Sequence, residues 1–473
     1  MANDIKTYDL VISGGGPAGV IAARGAGNLH KSVALIDAHR ELGGAGINTG
    51  TVPSKTLRET ALALSGLKSR QLYGVDLSLR REVTIADFLG HEQHVRAGFN
   101  ALISDQLHSR KADVFFGNAT LTDPHTVTVQ LHEDTPGQPG GELVLHGENI
   151  LIATGSSPVQ PALFPFGKAE IYDSDSVLKL DRIPKTLAVV GAGVIGSEYA
   201  CTFAALGAES HIIDGREVLL PFLDSEVSKA LVTAMEHHGV TFHWKEKVIE
   251  CTPADNGVTL KLSSGATMTV DAVLVAAGRK SNTENLGLDK AGVATGERGI
   301  IPVNENYQTN VPHIYAAGDV IGFPALASTS MEQARRAIRH AFGLKATVLS
   351  PLLPNGIYTI PEVSMVGETE ESLKKKGVEY VVGRASYKEN ARGQIIGDED
   401  GFLKLIYSKN EMKLLGVHVL GELATEVVHI GLMAMLAELT ALVFIEACFN
   451  TPTLSQLYKA ATLDAMRNAD PLG

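Results

Sequence analysis

Two glycine-rich segments of the same design are suited to binding the pyrophosphate of a dinucleotide. Each follows an apolar strand and opens a helix, and they read Gly14-Gly-Gly-Pro-Ala-Gly19 and Gly191-Ala-Gly-Val-Ile-Gly196. At a helix N-terminus, free backbone N–H groups and the helix dipole attract phosphate, and glycine lets the phosphate approach closely. We therefore expect six glycines to cradle two ligands: Gly14, Gly16 and Gly19 the first, and Gly191, Gly193 and Gly196 the second.

An acidic residue ends the strand that follows each glycine segment. The interval from Gly14 to Asp37 equals the interval from Gly191 to Asp214, and both match the spacing of a nucleotide-binding βαβ unit. A carboxylate at this point accepts hydrogen bonds from a ribose diol and repels a 2′-phosphate, so Asp37 indicates FAD. Asp214 favours an unphosphorylated ribose, whereas Arg216 is placed to bind a 2′-phosphate. The second site is therefore predicted to accept both NADH and NADPH.

Two more apolar strands end in glycine and lie on either side of the second glycine segment. They run from Asn149 to Gly155 and from Asp271 to Arg279. Glycine at a strand end lets the backbone pass close to a ligand. The residues at these two ends are predicted to bind cofactor: Thr154, Gly155, Gly278 and Arg279.

These strands predict where the chain crosses between domains. A first FAD-binding part is expected over 1–155, an inserted NAD(P)-binding domain over 156–275, and a second FAD-binding part over 276–350. After residue 350, runs such as Leu414–Leu420 are typical of antiparallel strands, and apolar helices follow. The predicted fold is α/β, with two Rossmann-like domains and a C-terminal α+β domain over 351–473.

Composition narrows the function classes. The 473-residue chain has a net charge of −12, which argues against a protein that neutralises a nucleic-acid backbone. Its three cysteines have no metal-ligand or disulfide-framework spacing, so no metal site is predicted. No apolar run approaches the length of a membrane span, and the N-terminus lacks a signal-peptide core. A cytoplasmic protein without membrane or nucleic-acid partners is expected.

Several motifs beyond the glycine segments resemble the pyridine nucleotide-disulfide oxidoreductase family, and the resemblance runs essentially from end to end. They are Ala153-Thr-Gly-Ser156, Ala316-Ala-Gly-Asp319 and Pro361-Glu-Val-Ser-Met-Val-Gly367. The resemblance implies bound FAD, NAD(P)H as a substrate, and a homodimer formed by the C-terminal domain. It also implies that four further residues contact the cofactors: Thr51, Gly318, Asp319 and Ala327.

The segment Gly43–Lys55 resembles the redox helix of this family, yet it carries neither redox cysteine. Gly46 and Thr51 stand at the two cysteine positions. The family's C-terminal base and its carboxylate partner fall on Thr451 and Gln456. Thiol–disulfide exchange requires a thiolate, so disulfide reduction by the usual route is excluded.

Lys55 remains, and the resemblance implies that it binds flavin next to the N5 atom in an ion pair with Glu198. A positive charge there stabilises negative charge that develops on the flavin. These two residues are the predicted catalytic pair.

Threonine at the second cysteine position, Thr51, followed by Val-Pro-Ser-Lys55, resembles the transhydrogenase branch of the family. We therefore expect ping-pong hydride transfer from NADPH to NAD⁺ through FAD. Gly46 departs from that branch, which usually keeps its first cysteine. A quinone or dye reductase that uses the space left by the missing side chains is the alternative, and a non-enzymatic nucleotide-binding sensor is a third.

Overall fold

The computed structural model describes residues 5–66, 83–133, 135, 137–138, 140–168, 170–255 and 257–469. The α-helices in this part of the chain are α1 Pro17–Asn28, α2 Gly44–Asn48, α3 Thr51–Ser65, α4 Ile85–His108, α5 Val194–Ala205, α6 Ser225–His237, α7 Ala327–Ala341, α8 Glu370–Lys376, α9 Ala391–Ile396, α10 Ala424–Leu436, α11 Leu442–Glu446 and α12 Leu457–Ala469.

The strands are β1 Lys6–Ser13, β2 Val33–Asp37, β3 Asp113–Asp123, β4 Thr126–Leu131, β5 Gly141–Ile152, β6 Ser156–Pro158, β7 Ile171–Tyr172, β8 Thr186–Val190, β9 Glu209–Asp214, β10 Val240–Trp244, β11 Val248–Ala254, β12 Gly257–Leu262, β13 Thr267–Val270, β14 Ala272–Val275, β15 Arg279–Ser281, β16 Ile314–Ala316, β17 Asn355–Ile357, β18 Val363–Gly367, β19 Tyr380–Ser386, β20 Phe402–Ser408 and β21 Leu414–Leu420. Among the described helices, none combines the length and apolar character that a bilayer crossing requires.

The described residues form two compact units. The first unit takes its residues from Met1–Thr56, Gly90–Val159 and Gly278–Ser350. Its sheet contains β1 between β2 and β5 in parallel pairing, with β16 parallel to β5. Strands β1 and β2 are buried along most of their length, as expected for apolar parallel strands covered on both faces. Their carboxyl ends therefore present the first glycine segment and Asp37 side by side.

The second unit takes its residues from Leu57–Leu89, Gln160–Ala277 and Pro351–Gly473. It contains a parallel sheet in the order β10-β9-β8-β14-β7 and a small antiparallel sheet, β11-β12-β13. A five-stranded antiparallel sheet in the order β17-β18-β21-β20-β19 carries helices α10 and α12 on one apolar core. This division does not separate 156–275 from 351–473, so the predicted domain bounds remain a prediction.

One predicted strand is much longer than its sequence pattern indicates. Strand β5 begins at Gly141, whereas the apolar run begins at Asn149. The additional residues pair antiparallel with β4, from Thr126 opposite His146 to Leu131 opposite Gly141. Pairing with a neighbouring strand therefore extends β5 beyond its fully buried part.

Candidate nucleotide-binding site

In the first glycine segment, the fold itself requires two of the three glycines. Gly14 has a φ of +109°, and a β-carbon there would collide with the carbonyl oxygen of Ala153. A β-carbon on Gly19 would collide with the carbonyl oxygen of Gly14, which lies against the first turn of α1. The nearest heavy atom to a β-carbon on Gly16 would be 3.9 Å away, so the protein leaves open space where a phosphate is expected. This cradle fits the pyrophosphate of FAD.

The second glycine segment repeats this arrangement at the start of α5. Gly191 has a φ of +110°, and its β-carbon would collide with the carbonyl oxygen of Ala276, while one on Gly196 would collide with that of Gly191. Gly193 has an ordinary φ of −81° and no heavy atom within 4 Å of its β-carbon position. No contact among the described residues requires glycine at 193, and the space beside it is open to a ligand.

Asp37 lies at the end of β2 and faces the first glycine segment. Its Oδ2 accepts a hydrogen bond from Gly15 N at 2.6 Å, and its Oδ1 accepts one from His39 N at 2.7 Å. Burial raises the pKa of Asp37, although these two backbone hydrogen bonds oppose the rise. The carboxylate has backbone donors and room to accept more hydrogen bonds, which suits a neutral ribose diol.

Asp214 occupies the equivalent place at the end of β9 and has a different environment. Arg216 donates from Nε to Oδ1 at 2.9 Å and from Nη2 to Oδ2 at 2.7 Å. The backbone N–H groups of Arg216 and Ala192 donate to the same carboxylate. Burial would raise the pKa of Asp214, but these hydrogen bonds and the charge of Arg216 lower it to about 2. These four donors fully satisfy the carboxylate, so a further donor would have to displace the Arg216 side chain.

The strand ends that carry Thr154 and Arg279 meet in the first unit. Thr154 Oγ1 donates to the carbonyl oxygen of Asn282 at 2.7 Å. Arg279 donates from Nε to Ser156 Oγ and from Nη2 to the Ser156 carbonyl oxygen, at 2.9 and 2.7 Å. Gly155 and Gly278 both have positive φ, +69° and +97°, and the β-carbon position of each has no neighbour within 4 Å. The predicted glycines are thus needed for the backbone turn itself.

The Ala-Gly-Asp element lies beside the first glycine segment. A β-carbon on Gly318 would be 3.6 Å from the β-carbon of Ala18 in α1, and Gly318 N donates to Gln333 Oε1 at 2.8 Å. Asp319 Oδ2 accepts a hydrogen bond from Ser156 Oγ at 2.7 Å. Ala327 is the first residue of α7. No spacing in the sequence signals the contact of Gln333 or the link between Ser156 and Asp319, so neither was predictable.

Gly46, which stands at the first cysteine position, lies against Pro17, although the missing side chain indicates open space there. A β-carbon on Gly46 would lie 2.6 Å from Pro17 Cγ, so even an alanine does not fit without movement. Thr51 is the first residue of α3 and is exposed. Lys55, one turn further along α3, donates from Nζ to Ser54 Oγ at 3.3 Å. The missing side chain at 46 therefore leaves no open channel beside Pro17.

Two of the three cysteines are unsuited to replace the missing redox pair. Cys201 is buried, and desolvation raises its pKa to about 12. Burial also raises the pKa of Cys251, to about 11. Cys448 is exposed and free. Since the thiolate is the nucleophile in disulfide exchange, Cys201 and Cys251 are unreactive at neutral pH.

Glu198 lies in α5, two residues after the second glycine segment, and is buried. Its Oε1 accepts a hydrogen bond from Tyr358 N at 2.9 Å. The next residue, Thr359, uses its carbonyl oxygen to accept a hydrogen bond from Arg58 Nε at 3.0 Å. Glu198 thus belongs to the second unit and Lys55 to the first, and their ion pair remains a prediction.

Thr451 and Gln456 form a hydrogen bond with each other, in which Gln456 Nε2 donates to Thr451 Oγ1 at 2.5 Å. Neither side chain takes up or releases a proton near neutral pH. The predicted loss of the acid–base pair is therefore also a loss of proton-transfer chemistry at these positions.

One group of carboxylates in the second unit is close enough to hold a metal ion. It consists of Asp224, Glu226 and Glu370. The ammonium of Lys404, which is fully buried, lies among them and donates to all three, at 2.8, 2.8 and 2.5 Å. Arg384 also pairs with Glu226. Lysine supplies the positive charge that a metal would bring, so the cluster is an internal ion-pair network.

Two nucleotide cradles, each at a strand–turn–helix and each followed by an acid, define a two-nucleotide oxidoreductase. Residues 8–341 match the pyridine nucleotide-disulphide oxidoreductase family, and residues 353–462 match the dimerisation domain of that family. The chain belongs to this family, and its fold is α/β with a C-terminal dimerisation domain. FAD is the cofactor of the family and NAD(P)H its substrate. The resemblance inferred from the motifs is confirmed.

Similar proteins cover the whole chain. The soluble pyridine nucleotide transhydrogenase of Mycobacterium bovis is 44% identical over 462 residues, 98% of each chain. Among solved structures, LpdA of Mycobacterium tuberculosis matches with a TM-score of 0.88 and 25% identity, covering 97% of this chain and 99% of that one. The flavoprotein disulfide reductase RclA of Escherichia coli matches with a TM-score of 0.87 and 26% identity, covering 96% and 99%.

Proposed function

We propose that this chain is a FAD-dependent transhydrogenase that passes hydride from NADPH to NAD⁺. The observation that carries the proposal is the combination of two intact nucleotide cradles with a redox helix that has no thiol. Gly46 lies against Pro17, and Thr51 stands at the second cysteine position. The chain therefore keeps a binding site for a nucleotide as the electron acceptor, but no thiol at these positions that could reduce a disulfide.

When bound, FAD supplies a hydride acceptor and donor at its N5 atom. The first cradle, at Gly14, Gly16 and Gly19, would hold its pyrophosphate, and Asp37 would accept hydrogen bonds from its ribose. Asp319 and Arg279 are proposed to contact the cofactor. Ser156 forms hydrogen bonds with both side chains and holds them in position. Lys55 is proposed to place a positive charge beside N5, and buried Glu198 to hold that lysine in position.

The second cradle binds the nicotinamide nucleotides one at a time. NADPH gives up hydride and leaves as NADP⁺, and NAD⁺ then takes the hydride and leaves as NADH, so the reaction balances without release or uptake of a proton. This agrees with Thr451 and Gln456, which have no proton to exchange. Since both nucleotides use Gly193 and Asp214 in turn, the kinetics are expected to be ping-pong.

A quinone or dye reductase needs an acceptor site beside the flavin in addition to the nucleotide cradle. The sequence indicates that the missing side chain at 46 opens such a space. Pro17 occupies that position instead, with its Cγ 2.6 Å from where a β-carbon would be. Because Pro17 fills this position, the acceptor space that a reductase would use is not open at residue 46. Transhydrogenation is therefore the better-supported activity.

Steady-state kinetics test the proposal. The FAD-loaded protein is assayed with NADPH and thio-NAD⁺, whose reduction is followed at its own absorbance maximum, over a matrix of both concentrations. We expect parallel lines in double-reciprocal plots and no rate with lipoamide or glutathione disulfide. Converging lines would contradict a ping-pong mechanism in which both nucleotides use the second cradle in turn. Rates with a quinone that exceed those with thio-NAD⁺ would make the quinone the acceptor.

We also propose a homodimer through the C-terminal segment. Several large apolar side chains on helices α10, α11 and α12 are exposed. They are Met433, Leu436, Leu442, Leu463 and Met466. Exposed apolar residues grouped on a few helices mark an interaction surface, and the dimerisation-domain match supports a second copy as the partner. Light scattering of the wild-type chain is expected to give twice the chain mass, and Met433→Glu is expected to shift it towards the monomer.

A cytoplasmic location without nucleic-acid partners is part of the same proposal. The net charge of −12 supports the lack of nucleic-acid partners, and none of the described helices could span a membrane. Cell fractionation that recovers the chain with membranes would contradict it.

A further inference from the structure

We propose that Lys247 is a second positively charged residue that recognises the 2′-phosphate of NADPH. The proposal rests on the proposed function, because it takes the adenosine ribose of the substrate to lie at Asp214. It adds to Arg216 a residue from a different strand connection, the one that follows β10.

The connection after β10 runs beside the end of β9. Trp244 is the register partner of Asp214 in the parallel sheet. Beyond the sheet, Lys245 N donates to the Arg216 carbonyl oxygen at 3.1 Å, and Glu246 N donates to that of Asp214 at 3.2 Å. Residue 247 is therefore held next to the loop that carries Asp214 and Arg216.

The Lys247 side chain extends across Gly215. Its Cε lies 3.0 Å and its Cγ 3.5 Å from the position that a β-carbon on Gly215 would occupy. Gly215 does not have a positive φ, so its backbone conformation does not require glycine. The glycine leaves room for the lysine chain, and the ammonium at the end of that chain lies beside the residue between Asp214 and Arg216.

The charges around this loop leave Lys247 available. Arg216 is bound to Asp214, and Lys245 forms an ion pair with Glu217. Glu246 is engaged by the side chain of Ser263 and by the backbone N–H of Ser264. Within the described residues, Lys247 forms no ion pair, and its side chain is exposed.

A single arginine does not make this loop favourable for a 2′-phosphate. Arg216 only balances the carboxylate of Asp214, and a phosphate with close to two negative charges would otherwise meet a neutral pair. Lys247 adds a positive charge that no ion pair holds among the described residues. For an unphosphorylated ribose, the lysine contributes little, because Asp214 accepts the diol. One site can thereby bind both nucleotides in turn, as a transhydrogenase requires.

Calorimetric titration of the oxidised FAD-loaded enzyme tests this role without any hydride transfer. The probes are NADP⁺ and 2′,5′-ADP against NAD⁺ and 5′-ADP. For Lys247→Met, we expect the Kd of the two 2′-phosphorylated probes to rise about 2- to 5-fold, which corresponds to one exposed charge pair, while the Kd values of the other two probes stay unchanged. Lys247→Arg is expected to retain the selectivity. Lys261→Met, an exposed lysine of β12, is the matched control and should change nothing.

A second variant moves the lysine without removing its charge. Gly215→Ala places a methyl group against the Lys247 chain and should weaken NADP⁺ binding selectively, by less than Lys247→Met does. Both effects should shrink at high ionic strength, because exposed charges are screened by salt.

Equal losses for all four probes, or no loss for the phosphorylated pair, would overturn the proposal. Its failure is separable from failure of the proposed function. A selective loss in the titrations of an enzyme that shows no transhydrogenation leaves Lys247 in its role and removes the reaction. The reverse result removes only Lys247.

Discussion

Replacing Gly193 by alanine should separate nucleotide binding from folding. The β-carbon position at 193 has no heavy atom within 4 Å, and φ −81° with ψ −179° suits alanine. The remaining cost to the fold is that alanine is a poorer helix N-cap than glycine, about 0.5–1 kcal/mol. In the complex, the methyl group takes the space of the pyrophosphate, and overfilling a close contact costs about 1–3 kcal/mol. That corresponds to an increase of about 5- to 150-fold in the Kd for NADH.

Gly196→Ala is the matched variant, because its methyl group would collide with the Gly191 carbonyl oxygen inside the protein. Urea unfolding and calorimetric titration with NADH are measured on both variants, together with the FAD content. We expect Gly193→Ala to unfold close to the wild type, to keep its FAD and to bind NADH more weakly by the factor given above. Gly196→Ala should lose about 1–3 kcal/mol of folding stability. Unchanged NADH binding by Gly193→Ala would refute the assignment of the second cradle.

Three further changes test other parts of the protein. Arg216→Gln should raise the KM for NADPH about tenfold, because a charge-assisted hydrogen bond to the 2′-phosphate is lost. The KM for NADH should stay unchanged or fall, since NADH must displace this side chain. Equal changes in both KM values would contradict the assignment. Lys404→Met leaves three carboxylates without their buried ammonium and should cost about 3–5 kcal/mol of stability in urea unfolding at pH 7. Arg384 and Lys404 lower the pKa of Glu226 to about 2, so this stabilisation is present above pH 4.5 and is lost as the pH falls towards 2. The loss of stability in Lys404→Met should therefore shrink over that pH range, and exposed Lys409→Met is the control. A loss that grows on acidification would contradict the reasoning. Gly46→Cys combined with Thr51→Cys should give no lipoamide reduction, because a β-carbon at 46 meets Pro17; appreciable activity would show that the helix adapts.

The glycine segments and their acids could be predicted because their signal is local. A strand, a glycine turn and a helix follow one another directly along the chain, and the physical demands on Gly14 and Gly191 recur at fixed spacing. The motif resemblance then identified the family, which the comparison over residues 8–341 confirmed. The positions of these residues in the fold follow from parallel pairing of β1 with β2 and of β8 with β9.

The remaining parts of the site depend on contacts between distant segments. Ser156 and Asp319 are 163 residues apart, and Tyr358 reaches Glu198 over 160 residues. No spacing rule encodes such pairs, since they arise only when sheets and loops assemble. The same limit explains Gly46, where the missing side chain predicts empty space although Pro17, at the start of α1, occupies it.

The most direct measurement is an anaerobic experiment in two half-reactions with the FAD-loaded enzyme. One equivalent of NADPH is added and the visible flavin absorbance is recorded, and NAD⁺ is then added while NADH is quantified. Transhydrogenation through one cradle predicts loss of the flavin absorbance, its return with NAD⁺, and one NADH formed for each NADPH consumed. Absorbance that NADPH does not change, or that a quinone restores and NAD⁺ does not, would contradict the proposed function.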